Sequence, residues 1–115
     1  MDQTVPKPKV RPFSRIGRQA ITLLGQRIKL ARKQRRMTAQ ELADRAGISR
    51  GLVQRIEKGD PGCQIGAVFE TAAILGVPLF DADTAALKAR IKRTNEEIAL
   101  LPAHTHVRKK VEDAF

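Results

Sequence analysis

Thr38-Ala39-Gln40-Glu41-Leu42-Ala43-Asp44-Arg45-Ala46-Gly47-Ile48-Ser49-Arg50-Gly51-Leu52-Val53-Gln54-Arg55-Ile56-Glu57-Lys58-Gly59 reads as two short helices joined by a tight turn. Thr38 and Glu41 have the spacing of a capping box, which opens the first helix. Leu42, Ala43 and Ala46 fall on one face of it. Gly47 stops it, because the turn needs a left-handed residue and glycine adopts that conformation without steric cost. Ser49 is a second N-cap. Leu52, Val53 and Ile56 give the second helix an inward face, and Gly59 closes it. Ser49, Arg50, Gly51, Gln54, Arg55 and Lys58 are left to point outward. A face so small, polar and positive suits a helix lying in the major groove of duplex DNA.

Capped amphipathic helix pairs occur in many helical proteins, and a basic outer face is usually just solvated. Here several steric requirements are met together. Two helices crossing near 90–120° need a small residue at the crossing, a glycine in the turn and branched apolar residues beneath. Ala43, Gly47, Val53 and Ile56 occupy those places, so the stretch is read as a helix-turn-helix.

The rest of the composition agrees with that reading. The 115-residue chain allows one small domain plus tails. Aromatics are 3%, with no Trp or Tyr, so the core must be built from Leu, Ile, Val and Ala, which favours helix packing. The same poverty disfavours RNA or single-strand binding by base stacking. Lys and Arg number 22 against 12 Asp and Glu, a formal charge of +10. Solubility of a small domain needs a charge of only about 2 to 8. The excess asks for a polyanion or an acidic partner, with nucleic acid the default.

The single cysteine, Cys63, permits no intrachain disulfide and fits a cytoplasmic setting. The start, Met1 to Pro6, has no apolar signal core. Ala72 to Phe80 is too short to span a membrane and contains Pro78, so no membrane contact is expected.

Three segments follow. Residues 1–13 interleave Pro6, Pro8 and Pro12 with Lys7, Lys9 and Arg11. They read as an extended, disordered basic arm, an unstructured leader in the plainer reading and a phosphate-tracking or minor-groove arm in the functional one. Residues 14–80 form the DNA-binding domain. Ser14 caps a helix to about Arg36, with Ile16, Ala20, Leu23, Leu24, Ile28 and Ala31 inward and with Gly17 and Gly25 weakening it. Its cationic end, Lys29 to Arg36, suits a helix C-terminus and would lie near a phosphate backbone.

Asp60-Pro61-Gly62 is a turn. Cys63 beyond it has no His or Asp partner nearby and reads as a packing residue. A helix over about Gly66 to Leu75 turns Val68, Phe69, Ala72 and Ala73 inward. Gly76 ends it, and Val77-Pro78-Leu79-Phe80 returns to the core.

In residues 81–115, Asp81 or Asp83 caps a last helix to about Leu101. Leu87, Ile91, Thr94, Ile98 and Leu101 step by four, three, four and three, which is a heptad seam. The seam either packs on the chain's own core or pairs with another copy or a partner protein. The second is preferred, since the five-helix core is complete without it. His104 and His106 in the basic tail resemble half a metal site, but nothing completes it and surface histidines are the better reading. No metal, cofactor or catalytic residue is expected, because no nucleophile has a base and an orienting partner.

From about Leu23 to Phe80 the chain resembles the lambda-repressor-like helix-turn-helix family, the Xre or Cro type. The resemblance rests on Leu24-Gly25-Gln26-Arg27-Ile28, Ala31-Arg32, Thr38 to Ala43, Ala46-Gly47-Ile48-Ser49, Ile56-Glu57-Lys58-Gly59 and Leu75-Gly76-Val77. It implies an all-α five-helix bundle that binds DNA operators, usually as a homodimer, with the helix after Ser49 as recognition helix. It also implies an ion pair between Arg32 and Glu57. Such a pair fixes geometry more than it adds stability.

Two positions depart from the family. Ala39 stands where many members carry a phosphate-touching Gln, with Gln40 next. Gly51 stands where many carry a base-reading side chain. Base readout is therefore expected from Ser49, Arg50, Gly51, Gln54 and Arg55, and phosphate contact from Arg32, Thr38, Gln40 and Lys58. Asp60-Pro61-Gly62, Ile65-Gly66 and the basic tail after Leu101-Pro102 further resemble HipB-type antitoxins, which pair with HipA-type kinase toxins and repress their own operon.

The expected function is a sequence-specific repressor binding double-stranded DNA, and the narrower resemblance implies the antitoxin of such a pair. The alternatives are a protein chiefly binding and neutralising a toxin, or a stand-alone phage-type repressor.

Overall fold

The computed structural model describes residues 13–80 and 83–103, and over these the chain is all helical. The order is α1 (Arg15–Gln34), α2 (Ala39–Ala46), α3 (Arg50–Glu57), α4 (Ile65–Leu75) and α5 (Thr84–Leu100). The expectations for residues 1–12, for Asp81 and for 104–115, including His104 and His106, lie outside the described residues.

Four helices start at a side chain that accepts a hydrogen bond from the first turn. Ser14 Oγ accepts from the Gly17 amide at 3.0 Å, and Ser49 Oγ from Leu52 at 3.1 Å. Asp83 Oδ1 accepts from Ala86 at 2.8 Å. At α2 the capping box is complete: Thr38 Oγ1 accepts from the Glu41 amide at 3.0 Å, and the Thr38 amide donates to Glu41 Oε1 at 2.8 Å. α2 ends at Gly47, which sits in the left-handed region at φ 69° and ψ 32°.

α1 ends less comfortably. Its last carbonyls are closed by the Arg36 amide to Lys33 at 2.9 Å and the Met37 amide to Arg32 at 3.1 Å. That closure puts Arg36, which has a Cβ, at φ 54°. Glycine usually takes this position.

The chain divides into two units, Met1–Leu79 and Phe80–Phe115. In the first, α3 packs on α2 and α1, and α4 packs on the same two helices. Ile28, Leu42, Ala43, Val53, Ile56, Ala72 and Leu75 form the buried core, joined by Met37 and Val77. This unit holds four of the five helices, and the fifth is α5. The described residues thus hold the five helices of the expected all-α fold, with α5 counted among them.

Three inward faces also differ from expectation. On α1, Ile16 and Leu23 are exposed, while Leu24, Gly25, Ile28 and Ala31 face the core. The 20-residue α1 is about 30 Å long against about 12 Å for the eight-residue α3 and about 16 Å for the 11-residue α4, so its first turns overshoot them.

On α4, Thr71, Ala72 and Leu75 are buried, whereas Phe69 and Ala73 are exposed. Ala67, Val68 and Ile74 flank the buried strip. This helix is apolar almost all round, so periodicity offered no contrast by which to choose a face. Buried Thr71 is satisfied locally, its hydroxyl donating to the Val68 carbonyl at 2.8 Å. In the segment after α4, Val77 and Leu79 reach the core but Phe80 stays 66% exposed.

Candidate nucleic-acid interface

The orientation of α3 is fixed by what lies beneath it. Val53 and Ile56 are 1% and 3% exposed, and Leu52 is half-buried. With that face committed, Ser49, Arg50, Gly51, Gln54, Arg55 and Lys58 all come out on the exposed side. Two close approaches to α1 hold the far end of α3. A Cβ on buried Gly25 would clash with the Ile56 carbonyl oxygen and lie 3.0 Å from that of Glu57. A Cβ on Gly59 would lie 2.9 Å from Thr22 Cα. Gly25, which looked like a weakness of α1, is where the α3 backbone passes.

A salt bridge pins the same end. Arg32 Nε donates to Glu57 Oε2 at 2.6 Å and Arg32 Nη2 to Glu57 Oε1 at 2.9 Å. Nη1 donates to the Met37 carbonyl at 2.8 Å. The side chains are only 11% and 5% exposed. The Arg32 pKa is raised above its already high value by the hydrogen bond to Glu57, against desolvation and with added Coulomb attraction.

Arg32 therefore has all three guanidinium nitrogens engaged inside the fold. A phosphate contact from Arg32 would have to use the two Nη hydrogens left over from this pairing, or else leave a nearly buried carboxylate unpaired.

The other residues assigned to phosphates remain exposed. Thr38 caps α2, Gln40 donates from Nε2 to Asp44 Oδ1 at 2.9 Å, and Lys58 caps the end of α3. Glu41, fully exposed, has its pKa lowered by the hydrogen bonds from the Thr38 backbone and hydroxyl and by the charge of Arg45.

Among the base-reading candidates, Arg55 is partly tethered. Its Nε lies 3.3 Å from Asp60 Oδ2, while Asp60 Oδ1 accepts from the Gly62 amide at 2.8 Å. The sequence marked Asp60 only as a turn former. The turn folding back onto α3 is what brings its carboxylate to Arg55. Arg36 belongs to the cationic run Lys29 to Arg36 expected near a phosphate backbone, but the sequence does not single it out within that run. It is exposed and precedes the α2 N-terminus by three residues. Its left-handed backbone is the feature that distinguishes it, and that is invisible before folding. Cys63 packs half-buried against the core.

Gly51 has no internal need to be glycine. It lies in a helix, and the nearest atom to a built Cβ is Ser49 Oγ at 4.0 Å. Alanine there would fit and would favour the helix by about 0.5–1 kcal/mol.

A small helical unit with a capped two-helix turn, presenting an exposed polar and cationic helix, is a helix-turn-helix DNA-binding domain. The model of the family described as helix-turn-helix domain matches residues 23–87, more than half the chain, and the chain belongs to that family. No curated protein matches the chain. Among the described residues no helix is long and apolar enough to cross a membrane.

Proposed function

We propose that the chain is a sequence-specific transcriptional repressor of the lambda-repressor-like type, binding duplex operators as a homodimer. The observation that carries this reading is the outward face of α3, where Arg50, Gln54 and Arg55 are exposed around a glycine the fold does not require. The guanidinium fork of Arg50 or Arg55 matches the two acceptors of guanine, and the Gln54 amide matches adenine. Ser49 and Gly51 allow close approach at the start of the helix. Thr38, Gln40 and Lys58 contact phosphates, with Arg36 added to them. The net charge of +10 supports a large salt-dependent component of affinity.

The test is a mobility-shift titration on duplex from the chain's own promoter region at low salt, compared with scrambled duplex. Arg50→Ala and Arg55→Ala each lose about 1–3 kcal/mol of discrimination at one base pair per half-site. Lys58→Ala weakens binding to all sequences alike and lowers the salt slope by about one. Absence of any shift on either duplex overturns the proposal.

The exposed apolar seam of α5 favours a second reading. In it, residues 81–115 engage a kinase-like toxin and the chain serves as its antitoxin. A pull-down with and without residues 81–115 separates the two. A kinase-like partner captured only by the full chain supports the antitoxin reading, and its absence leaves a stand-alone repressor.

A further inference from the structure

We propose that α5 docks against α5 of a second copy, and that the two helices run antiparallel. This rests on the homodimer reading above and adds the surface and its polarity.

No residue of α5 is buried. Ile91, Ile98 and Leu101 are 70%, 63% and 67% exposed. Leu87, Ile91 and Ile98, together with Phe80, line an open groove of about 490 Å³. The spacing from Leu87 to Leu101 is that of a coiled-coil seam, which needs a facing helix to fill it.

Charge selects the occupant. The first half of α5 carries Lys88, Arg90, Lys92 and Arg93, and the second half carries Glu96 and Glu97. That distribution opposes the helix's own macrodipole, which favours acidic residues at the start and basic ones at the end. α5 has neither an acidic residue in its first turn nor a basic one in its last. Among the described residues, the ion pairs join Arg32 to Glu57 and Arg55 to Asp60, and none lies on α5.

An identical helix running the opposite way lays the basic half of each copy along the acidic half of the other. With the helices fully overlapped, Leu87 faces Ile98 of the second copy and Ile91 faces Thr94, each twice by symmetry. Flanking that seam, Arg90 of each copy then meets Glu97 of the other. Arg90 remains available for this, because only its Nη1 is engaged, donating to the Phe80 carbonyl at 2.9 Å. A parallel pair instead puts Arg90 beside Asn95 and brings the two cationic halves together. Flanking charges of this kind set partner choice and orientation in paired helices.

The experiment is sedimentation equilibrium on the full chain without DNA. The wild type is expected to dimerise. Glu97→Arg alone and Arg90→Glu alone each set like charges against each other at both ends and weaken the dimer by about tenfold or more. An equimolar mixture of the two variants regains wild-type affinity as a heterodimer, because both opposed pairs become complementary. That recovery also proves the variants folded.

A wild type that stays monomeric, single variants that dimerise like the wild type, or a mixture that does not recover each overturn the proposal. A monomer that shifts promoter DNA overturns the α5 inference and leaves the DNA reading standing. A dimer with the complementation pattern that shifts no duplex overturns the DNA reading alone.

Discussion

Gly25 of α1 lies directly under the carbonyl of Ile56 at the end of α3, with no room for a side chain between them. The crossing of these helices, and hence the angle at which α3 is offered to solvent, depends on that missing methyl group. Gly25→Ala is expected to destabilise the fold by about 1–3 kcal/mol, because the backbone it meets cannot give way as a flexible side chain would. The helical preference of alanine offsets at most about 1 kcal/mol of this. Gly66→Ala on α4 is the control: nothing lies within 4 Å, so it should be neutral or slightly stabilising. Urea unfolding midpoints for the two variants check the contrast, and equal effects would contradict it.

Arg32 and Glu57 are expected to behave as a unit. Removing either by alanine substitution leaves the other nearly buried and unpaired, at about 2–4 kcal/mol. Replacing both with apolar residues of similar size, Arg32→Met with Glu57→Leu, should cost much less than the sum of the single changes. A double-mutant cycle by chemical denaturation measures the coupling. The Arg32→Ala variant also separates roles, since its loss of DNA affinity should disappear under conditions where it remains fully folded.

Gly51→Ala should move stability and function in opposite directions. The fold gains about 0.5–1 kcal/mol from better helix propensity, because space around the position is open. Duplex binding falls if the glycine is there for close approach by DNA. Thermal melts and mobility shifts on the same preparation give both numbers. Unchanged affinity would remove Gly51 from the proposed interface.

Acid should loosen the start of α2 through Glu41. Its carboxyl is held below the usual carboxylate range by Thr38. A depressed folded-state pKa means the contribution is fully present above the ordinary, unfolded-state value. It is lost as pH falls through the lower folded-state value. Stability measured from neutrality down to about pH 3 should therefore fall less steeply in Glu41→Gln than in the wild type. Identical slopes would show that the capping carboxylate does not contribute.

The local grammar of the chain was legible before any folding. Thr38 with Glu41, Gly47 and Ser49 mark helix boundaries through hydrogen bonds that reach only three or four residues, so spacing alone places them. At α5 spacing left Asp81 or Asp83, and Asp83 is the cap. The outward set on α3 was legible for the same reason: Val53 and Ile56 fix the opposite face.

What needed the tertiary structure was everything carried by distance in space. The inward face of α4 could not be chosen from a nearly uniform apolar run. Only packing against α1 and α2 selected Thr71, Ala72 and Leu75 over Phe69 and Ala73. Gly25 changed from a flaw in α1 into its contact point because residues 31 positions later pass over it. Arg32 is tied into the fold because Glu57, 25 residues away, comes back to pair with it. A sequence records the chemistry of each side chain. Which partner claims that chemistry is decided when the chain closes on itself.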